Sequence, residues 1–207
     1  MNWLAHIFLS ELNIESQLGN LLNDTSKGRV WLGASSLIED GMRMHQKVDR
    51  FTDNHRAFAM SKSVLGRGLL RGVVVDLVYD LLLTRHWNRF SNIPREVFLS
   101  EFYERAEVAI QDYPIGVQKF VKGLIKSDHL RHYQNFNDLE QTFIRVDKRL
   151  SKRLLKKEST LSYLPLVIQE FDHIEQHFLE FFPELLKYVA QKSDLTQLSH
   201  WKKESFR

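Results

Sequence analysis

Helical spacing recurs along this chain, no strand alternation is sustained, and only 4 prolines and 9 glycines interrupt it. Met44, Val48 and Phe51 follow i, i+4, i+7, and Gly72 to Trp87 is densely apolar with a polar line at Asp76, Asp80 and Thr84. Pro94 reads as the first-turn proline of a helix through Phe102, Tyr103 and Ala106, and Pro114-Ile115-Gly116 as a break before the next helix. Asp138 to Lys157 is amphipathic, with Leu139, Phe143, Val146, Leu150 and Leu154 on its apolar side. Tyr163 to Val189 is aromatic-rich, and Pro183 is expected to interrupt it. The expectation is an all-α fold: a single helical domain of roughly seven helices over residues 1–190, then a polar, fraying tail over 191–207.

With 207 residues, 43% of them hydrophobic and 12% aromatic, the chain can bury a continuous core, which excludes disorder for most of it. The absence of cysteine excludes a disulfide framework, a thiolate zinc site and a thiol nucleophile. It fits a reducing compartment, so a cytoplasmic location is expected. Met1 to Ser10 is apolar but lacks a basic leader, and Asp76 and Asp80 break the apolar run Val73 to Leu83, so no membrane segment is expected. The formal charge of +3 permits an acidic partner and says little more.

Four clusters of metal-competent side chains stand out. His6 sits inside an apolar helix, where a buried imidazole needs a hydrogen-bond partner or a metal; a satisfied core histidine is the competing reading. Asp24 ends Gly19-Asn20-Leu21-Leu22-Asn23-Asp24 and precedes Lys27-Gly28-Arg29, which suits a metal-and-phosphate corner or an ordinary helix end. His45, Asp49 and Asp53 lie one turn apart, as ligands of one ion or as a solvated edge. Asp76 and Asp80 repeat that spacing in apolar company, where two carboxylates repel unless a cation or Arg85 relieves them; a solvent stripe is the alternative. Separate helices thus supply His, Asp, His–Asp and Asp–Asp groups, as a bundle does when it builds a metal centre.

These clusters, in this order, resemble the acyl-carrier-protein phosphodiesterase family. The matching stretches are Met1-Asn2-Trp3-Leu4-Ala5-His6, Gly19 to Asp24 with Lys27-Gly28, and Gly41-Met42-Arg43-Met44-His45-Gln46-Lys47-Val48-Asp49. They continue in Phe51-Thr52-Asp53, Val75-Asp76-Leu77-Val78-Tyr79-Asp80, Arg85-His86-Trp87 and Phe178-Leu179-Glu180-Phe181-Phe182-Pro183. The resemblance implies a helical fold related to the HD-domain metallohydrolases. It also implies manganese-dependent removal of 4′-phosphopantetheine from the serine of holo-acyl carrier protein. On that reading Asp24, His45, Asp49 and Asp80 are expected to hold the metal, Mn2+ or another divalent ion such as Mg2+, with Asp24, His6 and Asp76 as catalytic groups. Lys27, Arg43 and Arg85 are expected to meet phosphate. One departure is Leu81, where the family usually has a histidine.

Lys148, Lys152 and Lys156 form one i, i+4 row on the Asp138–Lys157 segment, and Arg149, Arg153 and Lys157 form the next. Acyl carrier proteins are small and strongly acidic, so this stripe is the expected docking face; a solvated helix face is the plainer reading. Exposed aromatics do not interleave with it, so nucleic acid is not the expected partner. Two other readings stay open. One is an HD-type phosphohydrolase for another phosphodiester such as a nucleotide, and the other is a carrier-protein-binding homologue inactivated through Leu81.

Overall fold

The computed structural model describes residues 1–205, and among these there is no strand beyond one isolated antiparallel bridge between Ser91 and Trp201. The chain is all-α. Its helices are α1 (Trp3–Phe8), α2 (Ile14–Leu22), α3 (Ser36–Asn54), α4 (Arg56–Val64), α5 (Arg71–Arg85) and α6 (Trp87–Phe90). The second half adds α7 (Arg95–Ala109), α8 (Ile115–Lys126), α9 (Phe136–Asp147), α10 (Lys152–Leu155), α11 (Leu164–Gln169) and α12 (Phe171–Ala190). These segments outnumber the expected seven because side-chain caps restart the chain where the apolar period runs on. His55 is extended, and its Nδ1 accepts the Ala57 N–H to begin α4 directly after α3.

The same effect corrects the docking helix. Asp147 ends α9 by accepting the backbone N–H groups of Thr160 at 2.7 Å and Leu161 at 3.3 Å, which turns the chain back. Ser151 then starts the one-turn α10 by accepting the Leu154 N–H. Lys148, Arg149, Lys152, Arg153, Lys156 and Lys157 are all exposed, but they spread over a turn, a short helix and a second turn rather than two rows of one helix.

Pro183 does not interrupt α12, which runs unbroken from Phe171 to Ala190. Phe178, Phe181, Phe182, Leu185 and Leu186 are buried on both sides of it, so tertiary packing holds the turn that the missing N–H weakens.

Residues 192–205 return to the body rather than fraying, and the last two of the expected tail lie outside the described residues. The Trp201 indole, 1% exposed, donates to the Phe8 carbonyl at 2.9 Å, and His200 Nε2 donates to the same oxygen at 2.7 Å. Leu12 N–H reaches Gln197 O at 2.8 Å. Two aromatic side chains therefore anchor a stretch whose composition is polar.

α1 lies between α2 and α5, α3 packs along α2, and α12 covers α4, α3 and α5. No helix among the described residues is long and apolar enough to cross a membrane.

Candidate metal centre

Two glycines set the geometry. A Cβ on Gly19 would stand 2.2 Å from the Ile38 carbonyl oxygen, and one on Gly41 would stand 2.3 Å from that of Ser16. Only hydrogen at both positions lets α2 and α3 touch backbone to backbone. That contact brings the Asn20 carbonyl of α2 to 2.7 Å from Nδ1 of His45 on α3. A carbonyl can only accept, so the neutral ring carries its proton on Nδ1 and turns the Nε2 lone pair inward.

His6, on α1, is held the same way. Asn20 Nδ2 donates to Ser10 Oγ, so Asn20 Oδ1 faces His6 Nδ1 at 2.8 Å and receives its proton. His6 Nε2 then faces two acceptors, the Met1 carbonyl oxygen at 3.1 Å and Asp49 Oδ1 at 3.2 Å. His45 Nε2 lies 3.0 Å from Asp49 Oδ2 and 3.0 Å from Asp24 Oδ1, yet neither contact has hydrogen-bond alignment and the buried nitrogen is unsatisfied.

With His45 neutral, two imidazole lone pairs and two carboxylates converge on one point and repel one another, and either a proton on His45 or a cation between them relieves it. The ligand atoms of His6, His45 and Asp49 are within 4.8 Å of one another, and Asp24, 62% exposed, stands on the solvent side. The donor set, two nitrogens and two carboxylates, fits a divalent ion.

Electrostatics follow this arrangement. Burial, then the charge of His45, pushes His6 down to about 4. Burial works against a charged His45 as well, but Asp24 and Asp49 outweigh it and hold the imidazolium up to about 9. Asp49 is half-buried, and its contacts with His45 and His6 outweigh desolvation and keep it well below the usual carboxylate range. His45 likewise keeps Asp24 low. The Met1 amino group sits beside this cluster, 2.9 Å from Asp76 Oδ1 and 3.4 Å from Asp49 Oδ1. Burial opposes its charge, yet Asp76 and Asp49 hold it up to about 10. Burial raises Asp76, and the amino group offsets part of that.

The other expected residues lie elsewhere. Asp80 is fully buried, but its two oxygens accept the Leu4 N–H at 3.0 Å and the Ala5 N–H at 3.1 Å, capping α1 from α5. Burial pushes its carboxyl up to about 7 against those two bonds. Asp80 therefore fixes the helix that carries His6 instead of joining the cluster, and neither it nor Asp76 belongs to a solvent stripe. Lys27 is exposed in the turn below Asp24, its N–H on the Asp24 carbonyl at 3.2 Å. Arg43 is exposed and paired with Glu39 and Asp40, and Arg85 is paired with Glu175 and lies over the Phe171 ring. Neither arginine joins the cluster. Asp53 is exposed one turn beyond Asp49. Leu81 is buried in the apolar core, and the four converging side chains assemble without it.

The sequence reading missed Asn20, which orients both imidazoles. Its signal is an amide inside the apolar Leu18 to Leu22 stretch, where a buried polar group must be bonded.

Fold and site together define an all-helical protein with a histidine–carboxylate centre, its imidazoles buried and its carboxylates open to solvent, drawn from α1, α3 and the turn after α2. The chain belongs to the acyl carrier protein phosphodiesterase family, whose profile matches residues 1–185. Proteins named acyl carrier protein phosphodiesterase from Salmonella paratyphi A, Salmonella agona and Salmonella newport are each 23% identical to it over 196 residues. Each alignment covers 93% of this chain and 100% of the relative. No solved structure matches.

Proposed function

We propose that this chain hydrolyses the phosphodiester joining 4′-phosphopantetheine to the serine of holo-acyl carrier protein, with a divalent ion, manganese first, held by His6, His45, Asp49 and Asp24. The observation that carries the reading is the unsatisfied, inward-facing Nε2 of His45 beside two carboxylates, in a chain of this family.

A divalent ion there would lower the pKa of a bound water and offset charge on the phosphoryl oxygens. Asn20 fixes both imidazole tautomers before substrate arrives, so nothing has to reorganise during the reaction. Asp24 is the most exposed of the four groups and faces the incoming phosphate, where it orients the attacking water. Lys27, exposed in the same turn, would neutralise a phosphate oxygen, whereas Arg43 and Arg85 are occupied by carboxylates of their own chain. Water adds to phosphorus, the bond from phosphorus to the serine oxygen breaks, and the serine oxygen takes a proton.

The test is intact-mass spectrometry of holo-acyl carrier protein incubated with the full chain and manganese, with and without chelator. Conversion to the apo mass that chelator abolishes is expected. Holo protein left intact by folded, manganese-loaded chain would refute the reading.

A further inference from the structure

With the basic stripe broken up, one part of it acquires a different setting. Arg149 lies over the Trp3 ring, 5.6 Å from its centroid, beside an open cleft of about 310 Å³ lined by Trp3, Phe120, Leu124 and His129. Arg145, one turn earlier on α9, donates from Nη1 to Nδ1 of His129 at 2.8 Å. A ring nitrogen that accepts from a guanidinium has no proton, so His129 carries its proton on Nε2, toward the Tyr133 hydroxyl at 3.5 Å. Burial, then Arg145 and Arg149, keeps that ring neutral down to about 4.

Both guanidinium groups are thus held in place by partners that leave their charge intact. Among the described residues neither has a carboxylate partner, unlike Arg43, Arg85, Arg95 and Arg131. Arg149 and Lys119 line the cleft, and Arg145 backs it through the His129 ring, so un-neutralised cations beside an apolar wall make a receptor for an oxyanion carried on a protein surface. Trp3 and His6 share the one-and-a-half turns of α1, about 4.5 Å apart along its axis, so whatever docks in the cleft is registered against the centre.

We propose that this cleft receives an acidic side chain of the carrier protein, its carboxylate on Arg149, with the charge of Arg145 behind His129, and its apolar neighbours on Trp3 and Phe120. This rests on the proposed phosphodiesterase reading, which also selects the anion. The phosphopantetheine linkage has one phosphate, and that phosphate must lie at the histidine–carboxylate centre. The rest of the arm is uncharged, so the second anion comes from the protein part of the substrate.

The experiment is fluorescence anisotropy of dye-labelled apo-acyl carrier protein, which cannot be turned over, titrated with the full chain at two salt concentrations. Arg145→Gln with Arg149→Gln should weaken binding about tenfold and flatten its salt dependence, while Lys152→Gln with Lys156→Gln should change it less than about twofold. Should the double variant lose its fold, Arg149→Glu, an exposed change that leaves the Arg145–His129 bond, must produce the weakening alone. Unchanged binding by the arginine variants, equal weakening by the lysine variant, or no binding by the wild-type chain would overturn the proposal. Holo-to-apo conversion read in parallel separates the two readings. Conversion with arginine-independent binding leaves the phosphodiesterase and removes the docking site. Arginine-dependent binding without conversion does the reverse.

Discussion

The rings of His6 and His45 stack 3.8 Å apart between centroids and 11° from parallel. Two imidazoles that close cannot both be charged, and their surroundings divide them: His45 keeps a proton up to about 9 while His6 is neutral down to about 4. In the metal-free chain that single proton relieves the repulsion among the converging donors.

On the proposed reading, a manganese ion would have to displace the His45 proton to bind. Its affinity should therefore climb as pH rises toward about 9 and level off above it, by about tenfold per pH unit for one proton displaced. Calorimetric titrations at a series of pH values check this. A flat profile would show that the ion binds elsewhere.

Gly41→Ala should push α2 and α3 apart, because its Cβ would fall 2.3 Å from the Ser16 carbonyl. The expected loss is about 1–3 kcal/mol of stability, measured by urea unfolding. Manganese affinity should fall with it, since the same contact holds the Asn20 carbonyl on His45.

Asp24→Asn and Asp80→Asn should separate chemistry from scaffold. Asp24 is largely exposed, so its loss should change stability by at most about 1 kcal/mol while turnover of holo carrier protein drops about a hundredfold or more. Asp80→Asn leaves an amide facing two N–H donors and should cost about 1–3 kcal/mol of stability before it affects turnover. The reverse pattern would return Asp80 to the reacting centre.

His200 supplies a test of acid stability away from the centre. It is fully buried, its Nδ1 has no partner, and burial holds it down to about 4. The unfolded chain takes up that proton near 6.5, so the folded state loses stability as pH falls from 6.5 to 4. The slope is about 1.4 kcal/mol per pH unit for one such group. His129 acts in the same direction and Asp80 in the opposite one, since its carboxyl is raised to about 7 and favours the folded state as pH falls. His200→Gln should remove one proton's worth of slope, read from urea melts between pH 4 and 6.5.

The helical class and the family were legible in the sequence because both rest on local order: apolar spacing, and motifs met in succession. His6, His45, Asp49 and Asp24 were legible as separate clusters, and folding joined them. Asp76 and Asp80 share one helix and one spacing, so the sequence treated them as a pair. The fold separates them, since Asp80 faces the start of α1 and Asp76 the Met1 amino group. The basic stripe misled for a related reason. Its apolar period continues through Ser151, and what stops the helix is Asp147 reaching thirteen residues ahead to Thr160. Asn20 stands within the Gly19–Asp24 motif, but its role depends on two rings from other helices.

The clamp on Phe8 gives the molecule an order of assembly. α1 has six residues, too few to hold helical shape by itself. Its last carbonyl, that of Phe8, is secured by His200 and Trp201, and its first amides by Asp80. On the ribosome, the segment bearing His6 emerges long before the residues that lock it exist. The centre is therefore among the last things the chain completes, and a polypeptide cut short before Trp201 would carry every metal-competent side chain without the brace that aligns one of them.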